Sequence, residues 1–193
     1  MRFAEISESF LQEIDYKKHK KLVLDYMQNQ GYRRIGGGAD AQVFAKDAGQ
    51  VIKIIIPQSG NLPKADNTFL EFYKYVQQRP DDIHLPKFYR IADKEHEFFE
   101  LDGETFRQTA MERLKPIPAG SKLDDVIFDM FRDLSYKEPY SPKYDNYKSL
   151  YNSMKDVMDA GTKLGFRHDI MTFGHSNVML RGNIPVIMDP WVA

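Results

Sequence analysis

Three polar residues near the end of the sequence are of the types that phosphoryl transfer requires, namely Asp169, Asn177 and Asp189. Asn177 and Asp189 are 12 residues apart (189 − 177), and two short apolar segments joined at Gly182-Asn183 predict a hairpin that brings their side chains together. Amide and carboxylate oxygens hold magnesium on nucleotide phosphates, and a further carboxylate orients the attacking hydroxyl. The pattern therefore predicts Asn177 and Asp189 as magnesium ligands.

A second set of candidate residues, in the first half of the sequence, could contact phosphate groups. The run Gly36-Gly37-Gly38 precedes Val43 and predicts a hairpin loop, in which glycines let backbone amides approach an anion closely. Lys53 follows 17 residues after Gly36 (53 − 36), within a β-branched segment that predicts a buried strand. Glu71 follows 18 residues later (71 − 53) on a predicted helix, from which it could form a salt bridge with Lys53.

Each of these features has an ordinary structural explanation when it is taken alone. Three glycines suit any hairpin, Lys53 could extend from an edge strand, and Glu71 could lie on a solvent-exposed helix face. The loop lacks the Gly-Lys-Ser/Thr sequence of a Walker loop, and it precedes a predicted strand rather than the helix of a Rossmann fingerprint. The order of glycine loop, lysine strand and glutamate helix nevertheless favours a phosphate-binding site.

Hydrophobic periodicity predicts an α+β protein in which helices and strands position these residues. Apolar residues at spacings of three and four predict helices, and alternating or β-branched segments predict strands. The predicted helices are 9–30, 67–78, 121–134 and 144–164, and the predicted strand regions are 32–56, 85–92, 96–101 and 105–114. We expect a helical extension (1–31), an antiparallel five-stranded lobe with the helix that carries Glu71 (32–115), and a reduced helical lobe with the catalytic hairpin (116–193).

The composition limits the classes of function. The sequence has 193 residues, 42% of them hydrophobic, which is typical of a soluble globular protein. The formal net charge of −1 gives little support to nucleic-acid binding, and the apolar runs are too short to span a membrane. Cysteine is absent, which excludes disulfides and cysteine-zinc sites and is compatible with a cytoplasmic location. The segment Met1–Glu5 does not resemble the start of a signal peptide.

The combination of motifs over residues 32–191 resembles the protein-kinase-like superfamily. In particular, the sequence is similar to the small serine/threonine kinases of T7-like bacteriophages, which have a glycine loop and then a strand of the type Val51-Ile52-Lys53. Arg79-Pro80 and Pro86-Lys87-Phe88-Tyr89 resemble a turn and a strand of that family. The ending, Asn177-Val178-Met179 and then Pro185-Val186-Ile187-Met188-Asp189-Pro190, also resembles the family pattern. The resemblance implies a minimal two-lobed kinase fold.

The resemblance also implies roles for the candidate residues. Glycines of the loop would cover the phosphates of ATP, and Lys53, braced by Glu71, would bind the α- and β-phosphates. The segment Met111-Glu112-Arg113-Leu114 resembles the hinge whose backbone pairs with adenine. The implied nucleotide-binding residues are Gly36, Gly37, Gly38, Val43, Lys53, Glu112 and Leu114, and the implied ligands of Mg²⁺ are Asn177 and Asp189.

The position of the catalytic base is left open by the spacing. In protein kinases the aspartate precedes the asparagine by five residues, and here that position is Thr172 (177 − 5), which cannot serve as a carboxylate base. Asp169 lies eight residues before Asn177 (177 − 169) and follows His168. An insertion of three residues in the loop would assign Asp169 as the base, and without such an insertion the base is missing. His175 could assist.

The sequence departs from the kinase pattern at Ala41, which replaces a glycine, and at Asp189-Pro190-Trp191, which replaces Asp-Phe-Gly. It ends four residues after Asp189 (193 − 189), where kinases have an activation segment, so the resemblance implies nucleotide binding more strongly than protein phosphorylation. We expect an ATP- and magnesium-dependent serine/threonine kinase acting on host proteins in the bacterial cytoplasm. The alternatives are an inactive kinase-like protein that binds a host partner and a small-molecule kinase of the aminoglycoside-phosphotransferase type. The oligomeric state stays open.

Overall fold

The computed structural model describes residues 17–37, 41–56, 64–91, 97–172 and 175–192. It is an α+β structure with an antiparallel sheet and several helices, which confirms the predicted fold class. The chain divides into two compact units, one of Met1–Asp66 with Lys87–Arg113 and the other of Asn67–Pro86 with Leu114–Ala193. Residues 67–86 therefore belong to the second unit, whereas their place in the sequence predicted that they would belong to the first lobe. The functional assignment of the two lobes stays a prediction.

The first unit contains an antiparallel sheet of six strands, one more than the sequence predicts. Its strands are β1 (Arg33–Gly37), β2 (Ala41–Ala45), β3 (Gln50–Ile55), β4 (Phe88–Tyr89), β5 (Glu97–Leu101) and β6 (Glu104–Glu112). The order is β1-β2-β3-β6-β4, and β5 pairs with the first half of β6. The predicted strand 85–92 shrinks to two residues in β4, because turns with hydrogen bonds occupy 82–85 and Pro86 has no N–H to donate.

One face of this sheet forms the core of the first unit together with a helix, α1, which is described over residues 17–29. The alternation of strand residues places Ile52, Ile54 and the following Ile56 in this core, so the intervening Lys53 faces the other side of the sheet. The buried members of the core are Val23, Met27, Phe44, Ile52, Ile54, Ile56, Phe106 and Ala110. The remainder of the predicted helix, residues 9–16, lies outside the described residues.

The two glycines at the end of β1, Gly36 and Gly37, differ in how much space surrounds a Cβ atom added at each position. Gly37 has φ of +145°, and a Cβ atom there would lie 2.6 Å from the carbonyl oxygen of Ala41. A Cβ atom on Gly36 would meet no atom within 4 Å. Gly37 is therefore required by the backbone itself, whereas Gly36 leaves open space above the sheet.

We expect Gly37→Ala to lower the free energy of unfolding by about 1–3 kcal/mol, because alanine is strained at this φ and its methyl group overlaps the backbone of β2. Gly36→Ala is the matched control and should change stability by at most about 0.5 kcal/mol. Urea unfolding of the two variants beside wild type measures both effects. Equal stabilities of the two variants would contradict the backbone assignment of Gly37.

The second unit consists of helices and short strands around a hairpin. Its helices are α2 (Lys64–Gln77, from Asn67 onward), α3 (Lys122–Ser135), a 3-10 helix (Pro142–Tyr147) and α4 (Lys148–Lys163). Its strands are β7 (Lys115–Pro116), β8 (Arg167–His168), β9 (Met171–Thr172), β10 (His175–Ser176), β11 (Val178–Arg181), β12 (Ile184–Ile187) and β13 (Trp191–Val192). The predicted helix 144–164 thus begins as a tighter 3-10 helix after Pro142. Strand β7 was not predicted.

The hairpin β11–β12 is held on several sides within the second unit. Val178 pairs with Ile187 and Arg181 with Ile184, while β7 pairs along the other edge of β11. The guanidinium of Arg181 donates to the carbonyl oxygens of Ile83 and Leu85, both at 2.9 Å. These contacts fix the strands that precede Asp189 and follow Asn177.

Candidate functional site

The candidate phosphate-binding residues of the first unit lie in one row across the sheet. Gly36 of β1 is opposite Val43 of β2, Val43 is opposite Lys53 of β3, and Lys53 is opposite Thr109 of β6. Directly opposite residues in antiparallel strands direct their side chains to the same face, so Val43, Lys53 and Thr109 share a face. Thr109 was not among the predicted site residues, because only the pairing of β3 with β6 brings it into the row. Gly38 lies outside the described residues.

Glu71 lies on α2 in the second unit, whereas Lys53 belongs to the first. Its carboxylate forms an ion pair with Lys74 Nζ at 2.6 Å, one turn further along the same helix. The predicted partnership of Glu71 with Lys53 joins residues of different units and stays a prediction. A surface pair of this kind contributes little to stability, about 0.2–0.5 kcal/mol.

The predicted hinge residues have structural contacts of their own. The N–H of Glu112 donates to the carbonyl oxygen of Lys87 at 2.9 Å, and the Glu112 carboxylate accepts from the N–H of Lys87 at 2.8 Å. The N–H of Glu112 is thus bound within the first unit, and the pairing of the 111–114 segment with adenine stays a prediction. Leu114 is buried and begins the second part of the second unit.

Asp169 and Asn177 lie side by side although eight residues separate them in sequence. Between them in sequence, the short strands β9 and β10 form an antiparallel pair, in which Thr172 is opposite His175. The pair is closed by the N–H of Asn177, which donates to the carbonyl oxygen of Ile170 at 2.9 Å. The pairing of β9 with β10 therefore brings Asn177 back beside Asp169.

The Asn177 side chain is oriented by Asp169. Its Nδ2 donates to the backbone carbonyl oxygen of Asp169 and lies 3.4 Å from the carboxylate oxygen Oδ2. Because the amide nitrogen is directed at Asp169, the amide oxygen is directed away from that residue. The second contact is long for a hydrogen bond, so the backbone contact is the stronger constraint.

Asp189, which follows β12, lies close to Asp169 and Asn177 because of two backbone hydrogen bonds. The N–H of Met188 donates to the carbonyl oxygen of Asn177 at 2.7 Å, and the N–H of Asp169 donates to that of Pro190 at 2.7 Å. Asp189 thus lies between two residues whose backbone groups are hydrogen-bonded to Asn177 and to Asp169. We refer to Asp169, Asn177 and Asp189 together as the acidic cluster.

The charges of the acidic cluster interact. Burial raises the pKa of the Asp169 carboxyl above its usual value, and the nearby negative charge of Asp189 raises this pKa further. The hydrogen bond from Asn177 acts in the opposite direction and lowers the pKa of Asp169. Two partly buried carboxylates near one another create a local negative potential that favours a cation.

The raised pKa of Asp169 has a consequence for stability. A carboxyl group whose pKa is higher in the folded state than in the unfolded state contributes stability below the unfolded pKa and loses that contribution as the pH rises through the folded pKa. At about neutral pH the ionised carboxylate of Asp169 therefore lowers the stability of the folded protein.

We expect Asp169→Asn to raise the melting temperature at about neutral pH, because the neutral amide removes the cost of burying a charge and also the repulsion from Asp189, without changing the shape of the side chain. The gain should shrink as the pH falls toward about 4, where the wild-type carboxyl takes up a proton. Thermal unfolding of both proteins across this pH range, without added cations, measures the effect. A melting temperature of the variant below that of wild type at neutral pH would contradict the electrostatic interpretation.

His168 supports the chain just before Asp169. Its Nε2 lies 3.0 Å from the hydroxyl of Thr162 on α4, and its ring is half-buried. Burial lowers the pKa of His168, so the neutral ring is favoured at neutral pH. The side chain of His175 lies outside the described residues, and its suggested assistance stays a prediction.

The acidic cluster offers oxygen ligands of the kind that Mg²⁺ accepts. Magnesium is commonly bound through one or two carboxylates together with substrate phosphates, and it prefers oxygen ligands. Asp189 and the amide oxygen of Asn177 offer such ligands. No group of three or more His, Cys, Asp or Glu side chains suited to a metal ion occurs among the described residues, so a site built only from protein ligands is not found there.

No protein-family model matches the sequence, and no curated protein matches it significantly. Within the described ranges, no helix is long and apolar enough to cross a membrane.

Among solved structures, the chain is similar to part of WbdD, which one of them describes as a bifunctional kinase-methyltransferase. For one WbdD structure the identity is 17% over 81% of this chain and 31% of that one, with a TM-score of 0.41. For WbdD with a kinase inhibitor the identity is 17% over 79% and 31%, with a TM-score of 0.37. The chain thus spans about a third of the length of these WbdD chains.

Proposed function

We propose that this protein is a kinase-like phosphotransferase that uses ATP and Mg²⁺. The observation that carries the proposal is the acidic cluster, in which one carboxylate, Asp169, contacts an amide, Asn177, beside a second carboxylate, Asp189. Phosphoryl transfer needs these three groups, one to orient the attacking hydroxyl and two to bind the metal on the phosphates. When bound, Mg²⁺ supplies positive charge to the phosphate oxygens.

Asp169 is the proposed base of the reaction. Its carboxylate accepts the proton of the substrate hydroxyl as the new oxygen–phosphorus bond forms and the bond from the γ-phosphorus to the bridging oxygen of ATP breaks, which releases ADP. The raised pKa of Asp169 suits this role, because a base is more effective when its pKa lies nearer the working pH. Asn177 holds Asp169 in place through its Nδ2.

The row of Gly36, Val43 and Lys53 is the proposed nucleotide-binding part of the first unit. Gly36 leaves open space above the sheet, and Lys53 extends from the face opposite the α1 core. A lysine ammonium group offers three donors and a point charge to phosphate oxygens. We assign Lys53 to the α- and β-phosphates on these grounds.

The proposed substrate is a serine or threonine of a protein, as in the bacteriophage kinases that the sequence resembles, and the proposed location is the cytoplasm of a bacterial host. The alternative is an inactive kinase-like protein that binds a host partner. Nucleotide binding without label transfer to any protein would favour this alternative.

We expect Lys53→Met to weaken ATP binding at least about 10-fold, since it removes the charge that would contact the phosphates. The matched control is Lys46→Met on the exposed residue after β2, whose Nζ lies 5.6 Å from the ring of Tyr32. Isothermal titration of ATP with Mg²⁺ into each protein gives the affinities. Unchanged affinity of a folded Lys53→Met variant would refute the phosphate assignment, and weakening in the control would show a nonspecific charge effect that also counts against it.

A further inference from the structure

The side chain of Arg181, on β11, binds a short turn segment of the second unit, residues 82–85, which we call the clamp segment. Its Nη1 donates to the carbonyl oxygen of Ile83 and its Nη2 to that of Leu85, both at 2.9 Å. Hydrogen bonds from a charged donor are stronger than those between neutral groups. Because the donors of a guanidinium form a rigid planar fork, the two contacts together fix the orientation of the clamp segment on β11.

His84, between these two carbonyl groups, binds the other strand of the same hairpin. Its carbonyl oxygen accepts from the N–H of Ile187 on β12 at 2.8 Å. Its Nδ1 lies 2.7 Å from the carbonyl oxygen of Pro185, and it must be the donor because a carbonyl can only accept. The clamp segment is therefore bonded to β11 through Arg181 and to β12 through His84.

The clamp segment is itself held in place by Asp82. The carboxylate oxygen Oδ1 of this residue accepts from the N–H of His84 at 2.8 Å and from the hydroxyl of Ser153 at 3.0 Å. The N–H of Leu85 donates to the carbonyl oxygen of Asp82 at 3.2 Å. Since Ser153 belongs to α4, the clamp segment connects the hairpin to the body of that helix.

The bonds of the clamp segment lie next to the backbone of the predicted magnesium ligands. Ile187, which donates to His84, is followed directly by Met188. The N–H of Met188 donates to the carbonyl oxygen of Asn177 at 2.7 Å, and Asp189 is the next residue. A shift of β12 relative to β11 would therefore change the separation of Asn177 and Asp189. A displacement of about 1 Å in such a site can cost about 10²-fold in rate.

We propose that Arg181 is a positioning residue of the phosphotransfer site, which sets the separation of Asn177 and Asp189 through the clamp segment and thereby raises the affinity for Mg²⁺. The inference rests on the proposed function, in which these two residues bind the metal. Partners that orient metal ligands typically contribute about 10–100-fold to metal affinity. Arg181 acts through the backbone of the hairpin, so its effect should appear in the metal affinity and in the local opening of β12.

Hydrogen exchange tests the positional coupling on the whole protein without nucleotide or metal. Arg181→Lys keeps the positive charge, but a single ammonium group does not reproduce the planar fork. We expect the N–H of Met188 to exchange at least about 10-fold faster in this variant, relative to the buried amides of α3. The matched control is Arg132→Lys on α3, whose guanidinium contacts the carboxylates of Asp129 and Asp133. It should leave the exchange of Met188 unchanged.

Metal affinity is the second readout, measured with Mn²⁺ in place of Mg²⁺ and with a non-hydrolysable ATP analogue. Paramagnetic broadening of the Asn177 amide resonance during the titration gives the affinity. We expect Arg181→Lys to bind Mn²⁺ about 10-fold more weakly and Arg132→Lys to bind within about twofold of wild type. A purely structural role would lower the melting temperature without changing the Mn²⁺ affinity of the folded protein. Should Arg181→Lys not fold, Ser153→Ala loosens the clamp segment from α4 and should weaken Mn²⁺ binding about threefold.

The proposal is overturned by wild-type exchange of Met188 or wild-type Mn²⁺ affinity in folded Arg181→Lys, or by unchanged Mn²⁺ affinity in Ser153→Ala where that variant decides. Equal losses in Arg132→Lys, or no broadening of Asn177 in wild type, would also overturn it. Absence of phosphotransfer by wild type would refute the proposed function without altering either readout, so the two failures are distinguishable.

Discussion

Replacement of Asp189 by asparagine should reduce phosphotransfer at least about 10³-fold while the protein stays folded. The amide retains the shape of the side chain, and the backbone bonds on either side of it, Met188 to Asn177 and Asp169 to Pro190, do not depend on the carboxylate. The loss of phosphotransfer would follow from removal of the negative charge that is proposed to hold Mg²⁺. The steady-state rate as a function of Mg²⁺ concentration measures the effect, and the variant should also need more Mg²⁺.

The matched control for this prediction is Asp156→Asn, which removes a carboxylate from the exposed surface of α4. It should leave both the rate and the Mg²⁺ dependence within about twofold of wild type. A folded Asp189→Asn variant with an undiminished rate would show that the carboxylate is not a metal ligand. Reduced melting temperature would identify a variant whose loss of activity reflects unfolding.

Replacement of Trp191 by alanine should lower the free energy of unfolding by about 3–5 kcal/mol and the melting temperature by about 10 °C. The Trp191 ring is 2% exposed and contacts the rings of Phe72, Tyr75 and Phe166, with centroid separations of 5.5, 5.6 and 5.8 Å. Its Nε1 donates to the carbonyl oxygen of Val157 at 3.1 Å. The variant would lose both the packing and this hydrogen bond. Urea unfolding of the whole protein, followed by circular dichroism, gives the change.

A double-mutant cycle with Gly161 tests the packing of Trp191 more sharply. A Cβ atom on Gly161 would lie 2.5 Å from Nε1 of Trp191, so Gly161→Ala should cost about 1–3 kcal/mol in the wild-type background. In the Trp191→Ala background the same change should be neutral or stabilising, since alanine favours a helix over glycine by about 1 kcal/mol. Additive effects of the two changes would contradict the observed contact.

Local patterns of the sequence predict the regular elements well. The apolar stripe at 121–134 predicts α3 to within one residue of Lys122–Ser135, because buried residues such as Ile127 and Met130 repeat with the helical period. The β-branched segment around Lys53 predicts β3, and the turn at Gly182-Asn183 predicts the hairpin β11–β12. These elements are predictable because each is determined mainly by residues that are close together in the sequence.

The features that the sequence did not predict are those that depend on contacts between residues far apart in the chain. The short strand β7 exists because it pairs with β11, more than sixty residues away, and nothing in Lys115-Pro116 itself predicts a strand. The pairing of β9 with β10, which explains the spacing of Asp169 from Asn177, was expected only as an insertion without a defined structure. The role of Trp191, the one tryptophan, depends on packing against α2 and α4. The grouping of Glu71 with the second unit likewise follows from long-range packing.

The most direct test of the proposed phosphotransferase is label transfer from radiolabelled ATP with Mg²⁺ by wild type and by Asp169→Asn, alone and in a bacterial lysate. Asp169 is the proposed base, and its amide variant preserves the contact with Asn177, so the comparison isolates proton acceptance. We predict transfer by wild type and a loss of at least about 10²-fold in the variant. Undiminished transfer by a folded Asp169→Asn protein, or no transfer by wild type, would contradict the proposed function.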